Sequence, residues 1–119
     1  MLNVLATTLI AIPVGPQSWQ PCLYNNKSIE CRMTYLCKKA PCYHFKLEWK
    51  DGASDIYSGK PGIARNYATY KDTRGGQWAK RSLAGTFNLK NTSNGNTIIY
   101  GLTLDNCTNP IYKLGDFCD

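Results

Sequence analysis

A regular alternation of apolar and polar side chains, ending at a tight-turn dipeptide, constrains the fold of this chain more than any other feature. In the segment YHFKLEWK, every second side chain from Tyr43 to Trp49 is apolar. Strict alternation is typical of a β-strand with one buried face. The segment ends at Asp51-Gly52, which favours a β-hairpin because these residue types tolerate the positive φ angles of a type I′ turn. We therefore predict an antiparallel strand pair here.

A two-residue loop at Asp51-Gly52 would fix the register of this hairpin. It predicts that Leu47 lies opposite Ile56, with both side chains in the core. It also places Glu48 opposite Asp55, and like charges directly opposite each other destabilise a strand pair. A longer loop therefore stays open as an alternative.

The segment FNLKNTSNGNTIIYG, residues 87–101, repeats the same plan. Taking Asn94-Gly95 as the turn predicts three cross-strand pairs: Thr92 with Thr97, Leu89 with Tyr100, and Phe87 with Leu102. The apolar residues then share one face of the hairpin, as a buried face requires. The polar tip is explained as a turn and needs no binding role.

Further short strands are predicted between and before these two hairpins. IARNYATY and QWAKRSLAG are predicted strands joined by a turn at KDTRGG, and SIECRMTYL is the predicted first strand. The sum is six to eight short strands in sequence order. We therefore predict an all-β domain over residues 21–119, a small antiparallel meander that forms either a barrel or a sandwich.

The apolar N-terminal segment is too short to span a bilayer. It runs from Leu2 to about Val14, whereas a membrane helix needs about 20 residues. Its length suits the apolar region of a signal peptide, although no Lys or Arg precedes it and no A-x-A site follows. Residues 1–20 are therefore expected to be a signal peptide or an N-terminal apolar segment, with a buried strand or helix as the alternative.

Six cysteines are many for a chain of 119 residues. They permit 15 disulfide connectivities, which sequence alone does not distinguish. Local pairing is the simplest expectation: Cys22 with Cys31, Cys37 with Cys42, and Cys107 with Cys118. Together with the N-terminal segment, disulfides would indicate a secreted, periplasmic or lumenal protein. A zinc site at CKKAPC and His44 is the weaker alternative, because such a site usually has two Cys-x2-Cys knuckles, whereas this chain has a Cys-x4-Cys spacing and a single histidine.

Catalytic patterns are absent from the sequence. His44 is the only histidine, and the alternation places it on the polar face of its strand. The acidic residues are scattered, mostly at turns, and the sequence contains no phosphate loop, nucleotide fingerprint or nucleophile elbow. We therefore expect no enzyme, no cofactor and no metal.

The segment DTRGGQWAKRS combines aromatic and basic side chains. It brings Arg74, Trp78, Lys80 and Arg81 near one hairpin, a combination that can stack on sugars and hold anions. The net charge of +6 also favours acidic partners. Trp78 suits a core equally well, and a single RGG is a weak nucleic-acid motif. The expected partner is a protein or an anionic glycan at the cell envelope, not nucleic acid.

Several segments together resemble small secreted proteins of cyanobacteria. They are C…NNKSIEC, FKLEWKDGASDIY and YKDTRGGQWAKRSLAGTFNLKNTSNGNTI, which cover roughly Cys22 to Ile98. This resemblance implies a secreted protein and no particular activity.

The chain is more faintly similar to periplasmic lysozyme inhibitors of the c-type class. In those small antiparallel barrels a Tyr-x-Asp…Trp hairpin faces the enzyme, and Tyr70, Asp72 and Trp78 match that hairpin. The serine-rich inhibitory loop of that class is missing, and a cationic inhibitor is a poor electrostatic match for a basic lysozyme.

The expected function is that of an exported, non-enzymatic binding or structural protein of the cell envelope or lumen, including an accessory subunit of a larger assembly. The tips at Asp51-Gly52 and Asn94-Gly95 and the hairpin from Arg74 to Arg81 are its expected contact sites. The alternative is a protein that blocks a hydrolase in the manner of a lysozyme inhibitor.

Overall fold

The computed structural model describes residues 12–61, 68–83 and 86–102. It describes the side chains of all of these residues except 81–83. These ranges contain eight strands and no helix. The strands are β1 (Gln20–Tyr24), β2 (Lys27–Tyr35), β3 (His44–Trp49), β4 (Ser54–Pro61), β5 (Ala68–Lys71), β6 (Gln77–Leu83), β7 (Thr86–Asn91) and β8 (Thr97–Tyr100).

The eight strands form a closed antiparallel barrel in which each strand pairs with the next and β8 returns to pair with β1. The predicted all-β meander is therefore confirmed, and of the two predicted architectures it is the barrel. SIECRMTYL corresponds to β2 and not to the first strand, because β1 precedes it and fills the place between β2 and β8. Within the described residues, no helix has the length and apolar character needed to cross a bilayer.

The β3–β4 hairpin has a longer loop than its dipeptide predicts. Leu47 lies opposite Asp55 and not opposite Ile56, so the predicted register is wrong by one residue. The loop contains three residues, Lys50–Gly52, and Gly52 takes the positive φ of 99° that such a loop needs. A shift of one residue exchanges the two faces of a strand. Asp55 therefore shares the inner face of the barrel.

The β7–β8 hairpin differs from its prediction by two residues. Leu89 lies opposite Ile98 and Phe87 opposite Tyr100, because the loop has four residues, Thr92–Gly95. Three predicted pairs are therefore wrong: Thr92 with Thr97, Leu89 with Tyr100, and Phe87 with Leu102. An even shift preserves the faces of a strand, and Leu89 and Ile98 are indeed fully buried.

An aromatic cluster fills the middle of the barrel. The ring of Phe45 stacks on Tyr57 at a centroid distance of 5.3 Å, and it meets Tyr70 and Phe87 edge-on at 5.3 and 5.4 Å. Gly59 lies opposite Tyr70 across the β4–β5 ladder. A Cβ atom at Gly59 would lie 2.7 Å from the Tyr70 ring, so this position requires glycine.

Two of the three predicted disulfides are present: Cys22–Cys31 and Cys37–Cys42. The first links β1 to β2 inside the barrel, where both cysteines are 0% exposed. The second closes the connection between β2 and β3. The third predicted pair, Cys107–Cys118, lies outside the described residues.

Part of the predicted N-terminal segment contacts the barrel. The backbone N–H of Gln17 donates to the carbonyl of Met33 at 2.9 Å. The Trp19 ring lies 4.4 Å from the Arg32 guanidinium and 4.2 Å from the Lys50 ammonium group. Residues 1–11 of the predicted segment lie outside the described residues.

Candidate binding site at the barrel mouth

Four turns lie at one end of the barrel because consecutive strands are joined there as hairpins. We call this the hairpin end. A cavity of about 430 Å³ opens at this end between the β1–β2, β3–β4 and β5–β6 hairpins. We call this cavity the mouth.

Aromatic side chains form the walls of the mouth. Trp49, Tyr57 and Trp78 are buried and line it, and Tyr24 covers its edge with 37% exposure. Tyr24 meets Trp49 edge-on at 5.6 Å, and Tyr57 meets Trp78 edge-on at 5.8 Å. Strand alternation places all four rings on the inner face near the hairpin end. The lining of the mouth therefore includes two edge-to-face pairs of rings.

The β5–β6 turn is organised around the carboxylate of Asp72. Its Oδ1 atom accepts hydrogen bonds from the backbone N–H groups of Arg74 at 2.9 Å and Gly76 at 2.7 Å. Its Oδ2 atom accepts a hydrogen bond from the indole Nε1–H of Trp78 at 3.0 Å. A Cβ atom at Gly76 would collide with this carboxylate, so the turn requires glycine there. Asp72 thus fixes the orientation of a wall residue of the mouth.

These hydrogen bonds also determine the charge state of Asp72. Burial alone would raise the pKa of its carboxyl group. The hydrogen bonds from Trp78, Gly76 and Arg74 stabilise the ionised form and outweigh that effect, so the pKa lies below its ordinary value of 3.8. Asp72 is therefore a carboxylate at neutral pH.

A second carboxylate joins two hairpins at the rim. The side chain of Asp55 is only 9% exposed and accepts hydrogen bonds from the backbone N–H and the hydroxyl of Thr73, at 3.2 and 2.5 Å. The guanidinium group of Arg74 lies 3.6 Å from its Oδ2 atom, with 85% of the Arg74 side chain exposed. The β3–β4 and β5–β6 hairpins are thereby held together beside the mouth.

The mouth carries the opposite sign of charge to the chain as a whole. Its lining contains three carboxylates, of Asp51, Asp55 and Asp72, and two cations, Lys27 and Arg74. Three negative and two positive charges leave a formal charge of −1, in a chain whose net charge is +6. Burial, together with Asp55 and Asp72, raises the pKa of the Tyr57 hydroxyl, which stays protonated as a donor.

Three of the predicted site residues come together at the mouth: Asp72, Arg74 and Trp78. Tyr70 is buried in the aromatic cluster below. Lys80 also lies on the inner face, half-buried, with its Nζ atom 4.9 Å from the centroid of the Phe87 ring, and burial lowers its pKa. The side chain of Arg81 lies outside the described part. The predicted aromatic and basic residues thus do not form one exposed surface.

The inward direction of Tyr70 and Trp78 also bears on the likeness to lysozyme inhibitors. Both side chains are buried, at 4% and 5% exposure, and the side chains that their hairpin exposes, such as Lys71 and Arg74, are polar or charged. The hairpin therefore offers a partner protein little aromatic surface.

Sequence reasoning missed the part of the mouth that the other two hairpins supply. Trp49 was expected in the core, and nothing marked Tyr24, Lys27 or Asp55 as members of a site. The DG dipeptide pointed to the turn, but only a loop one residue longer brings Asp55 to the inner face.

The tip at Asn94-Gly95 lies next to the mouth but contributes no side chain to its lining. The side-chain oxygen of Asn91 accepts hydrogen bonds from the backbone N–H groups of Ser93 and Asn94, at 2.9 and 3.1 Å. The amide of Asn25 bonds the Asn96 side chain at 3.0 Å. Most polar groups of this tip are therefore used within the protein, which supports its interpretation as a turn.

In the described part of the chain, no three His, Cys, Asp or Glu residues lie close enough together to hold a metal ion. His44 is exposed on the outer face of β3, as the alternation predicted. Comparison of the chain with protein-family models, with curated proteins and with solved structures finds no match. The geometry of the mouth is therefore the basis on which a function can be proposed.

Proposed function

We propose that this protein is an exported, non-enzymatic binding protein whose mouth holds the flat, apolar part of a small neutral or cationic organic ligand. The observation that carries the proposal is the cavity of about 430 Å³ lined by two edge-to-face ring pairs. Small-molecule sites usually measure roughly 300–1,000 Å³, are lined mainly by apolar and aromatic groups, and often occupy the mouths of β-barrels.

The charges at the rim decide which ligands are favoured. Aromatic faces attract cations, with about 0.5–2 kcal/mol for each favourable contact. The carboxylate of Asp51 is exposed at the rim, and the carboxylate of Asp55 belongs to the same lining. An anionic ligand would meet repulsion from this side, whereas an ammonium group would not.

The walls of the mouth are held in place before any ligand arrives. Asp72 anchors Trp78, and the Thr73–Asp55 hydrogen bonds hold neighbouring hairpins together. A preorganised site loses less conformational entropy on binding. The same bonds occupy the carboxylates of Asp55 and Asp72, which supports a binding role more than an acid–base role.

The disulfides support the proposed export. Two form among the described residues, one of them in the largely exposed connection between β2 and β3. Structural disulfides persist mainly in secreted, periplasmic and lumenal proteins.

Three probes with one aromatic body test this function: benzyltrimethylammonium, benzyl alcohol and benzoate. We expect saturable quenching of tryptophan fluorescence by the first two, with dissociation constants of about 0.1–10 mM, and at least about tenfold weaker binding of benzoate. Trp19→Phe is the matched control, because Trp19 lies outside the mouth. This variant should bind like the wild type.

Tyr24→Ala removes the exposed member of one ring pair and should weaken binding of benzyltrimethylammonium by about five- to tenfold. Circular dichroism checks that this variant is folded. The proposal fails if none of the probes binds saturably, or if Tyr24→Ala binds all three as well as the wild type does.

A further inference from the structure

The outer surface of strands β4–β7 is basic and polar. Lys60, Lys71 and Lys90 are exposed there on β4, β5 and β7. The remaining outward positions that the structure describes are mostly hydroxyl and amide side chains: Ser58, Thr69, Gln77 and Asn88. We call this surface the basic face.

Two of the lysines share a single row across the sheet. Lys60 lies opposite Thr69, Thr69 opposite Ala79, and Ala79 opposite Lys90. Neighbouring strands lie about 4.8 Å apart, so three steps separate the two lysine backbones by about 14 Å. Between them stand only the short side chains of Thr69 and Ala79. This row of four residues has short side chains in the middle and a cation at each end, and we call it the strip.

Two shallow depressions lie along this strip. One, of about 490 Å³, includes Lys60, Lys71 and Gln77, and the other, of about 500 Å³, includes Asn88 and Lys90. They meet at Thr92, whose N–H and hydroxyl both donate to the carbonyl of Gln77. The two depressions therefore adjoin each other along the strip.

Carboxylates are absent from the outward positions of β4–β7 that the structure describes. The acidic side chains of the described residues lie on β2, on β3, or at the hairpin end. Among the residues that the structure describes, the lysines of the basic face form no ion pair with an acidic side chain. Their charge is available to an external anion.

The kind of anion follows from what else the basic face presents. The rings of β4–β7, at Tyr57, Tyr70, Trp78 and Phe87, all belong to the core or pack against it. The described face thus offers no ring on which a nucleic acid base could stack. It exposes no large apolar side chain that could enter a membrane. Hydroxyl and amide groups between lysines suit a polymer that carries both hydroxyls and anionic groups.

We infer that the basic face binds an acidic polysaccharide, with Lys60 and Lys90 holding anionic groups and the nearby side chains of Thr69, Gln77 and Asn88 meeting sugar hydroxyls. This site is separate from the mouth and does not depend on the function proposed for the mouth. The two sites together would let the protein bind a small ligand while attached to a polymer.

The test uses sodium polygalacturonate, in which every sugar carries a carboxylate, with neutral dextran as the uncharged comparison. Affinity electrophoresis measures binding of the full chain at several salt concentrations. We expect binding to polygalacturonate alone, weakening as salt rises because bound counterions are released. The variant K60Q/K90Q should bind about tenfold more weakly.

The matched control is K38Q/K39Q, which removes the same charge from exposed lysines in the connection between β2 and β3. It should keep its affinity within about twofold. An equal loss in both variants would mean that only net charge matters and would overturn the inference. Absence of binding to polygalacturonate would overturn it too, as would tighter binding to phosphatidylglycerol vesicles or single-stranded DNA.

Binding of benzyltrimethylammonium distinguishes this inference from the proposed function. K60Q/K90Q should bind that probe as well as the wild type does, which also verifies that the variant is folded. A loss of probe binding in this variant would contradict the separation of the two sites.

Discussion

The mouth and the basic face are two sides of one barrel wall, and they carry opposite local charge. The lining of the mouth has a formal charge of −1, whereas the described outward positions of β4–β7 hold three lysines and no carboxylate. Strand β6 contributes Trp78 to one surface and its neighbour Ala79 to the other. Because consecutive residues of a strand point to opposite faces, the net charge of +6 describes neither surface.

The two surfaces also differ in how they depend on the rest of the protein. The side chains of the mouth are anchored by buried hydrogen bonds and rings, so their removal should lower stability together with binding. The lysines of the basic face have no such anchors, so their removal should affect binding alone. Four predictions test this difference.

The largest effect is expected from the buried disulfide. Replacing both Cys22 and Cys31 by alanine should lower the free energy of unfolding by about 3 kcal/mol, because the bond constrains the unfolded chain and both cysteines are packed in the core. Urea unfolding measures the loss. The control replaces Cys37 and Cys42 by alanine and so removes the disulfide that closes the shorter loop. Its expected loss of unfolding free energy is about 2 kcal/mol. A larger loss from the control would contradict the view that the inner surface dominates stability.

Asp72→Asn should have the next largest effect. It replaces a carboxylate that accepts three hydrogen bonds and should cost about 1.5 kcal/mol of unfolding free energy. It should also weaken binding of benzyltrimethylammonium, because Trp78 loses its anchor. Asp51→Asn in the neighbouring turn is the comparison, since among the described residues Asp51 accepts a single hydrogen bond, from the N–H of Ala53 at 2.9 Å. Equal losses of stability in the two variants would show that Asp72 has no special structural role.

The effect of Asp72 should depend on pH. Its pKa is lower in the folded protein than its ordinary value of 3.8, so the unfolded chain binds the proton more readily. The stabilisation is complete above that ordinary value and is lost as pH falls through the lower, folded value. Unfolding by urea at pH 7 and at pH 3 should therefore show a smaller difference between wild type and Asp72→Asn in acid. A larger difference in unfolding free energy at pH 3 than at pH 7 would contradict the lowered pKa of Asp72.

The smallest effect on stability is expected at the basic face. The K60Q/K90Q variant should unfold within about 0.5 kcal/mol of the wild type, because surface substitutions away from specific contacts rarely change stability more. Its binding of polygalacturonate should nevertheless fall. A stability loss above about 1 kcal/mol, measured by urea unfolding, would mean that the face also has a structural role.

The sequence was sufficient for the features that depend on neighbouring residues. Alternation from Tyr43 to Trp49 predicted the inner face of β3, and short spacing predicted the two disulfides that the structure contains. The turns at Asp51-Gly52 and Asn94-Gly95 were located correctly. All of these follow from local geometry, in which the backbone repeat and the turn preferences act over a few residues.

Features that depend on loop length or on distant strands could not be predicted in the same way. One residue more in the β3–β4 loop than predicted turns Asp55 inwards and Ile56 outwards. The Asp51-Gly52 dipeptide is compatible with either loop length, so it could not reveal this difference. The mouth is lined by three separate hairpins, which lie close together because the pairing of β1 with β8 closes the sheet into a barrel. No local pattern encodes that convergence, because it follows from closure of the whole sheet.

The pairing of the first strand with the last has a consequence for the order of assembly. Tyr24 lies opposite Ile98, and Asn25 bonds Asn96 across a sequence separation of 71 residues. While the chain is being made, β1 therefore keeps a free edge until β8 emerges, and a free edge can pair with another chain. The partly synthesised protein is thus exposed to aggregation along the same edge that β8 later covers.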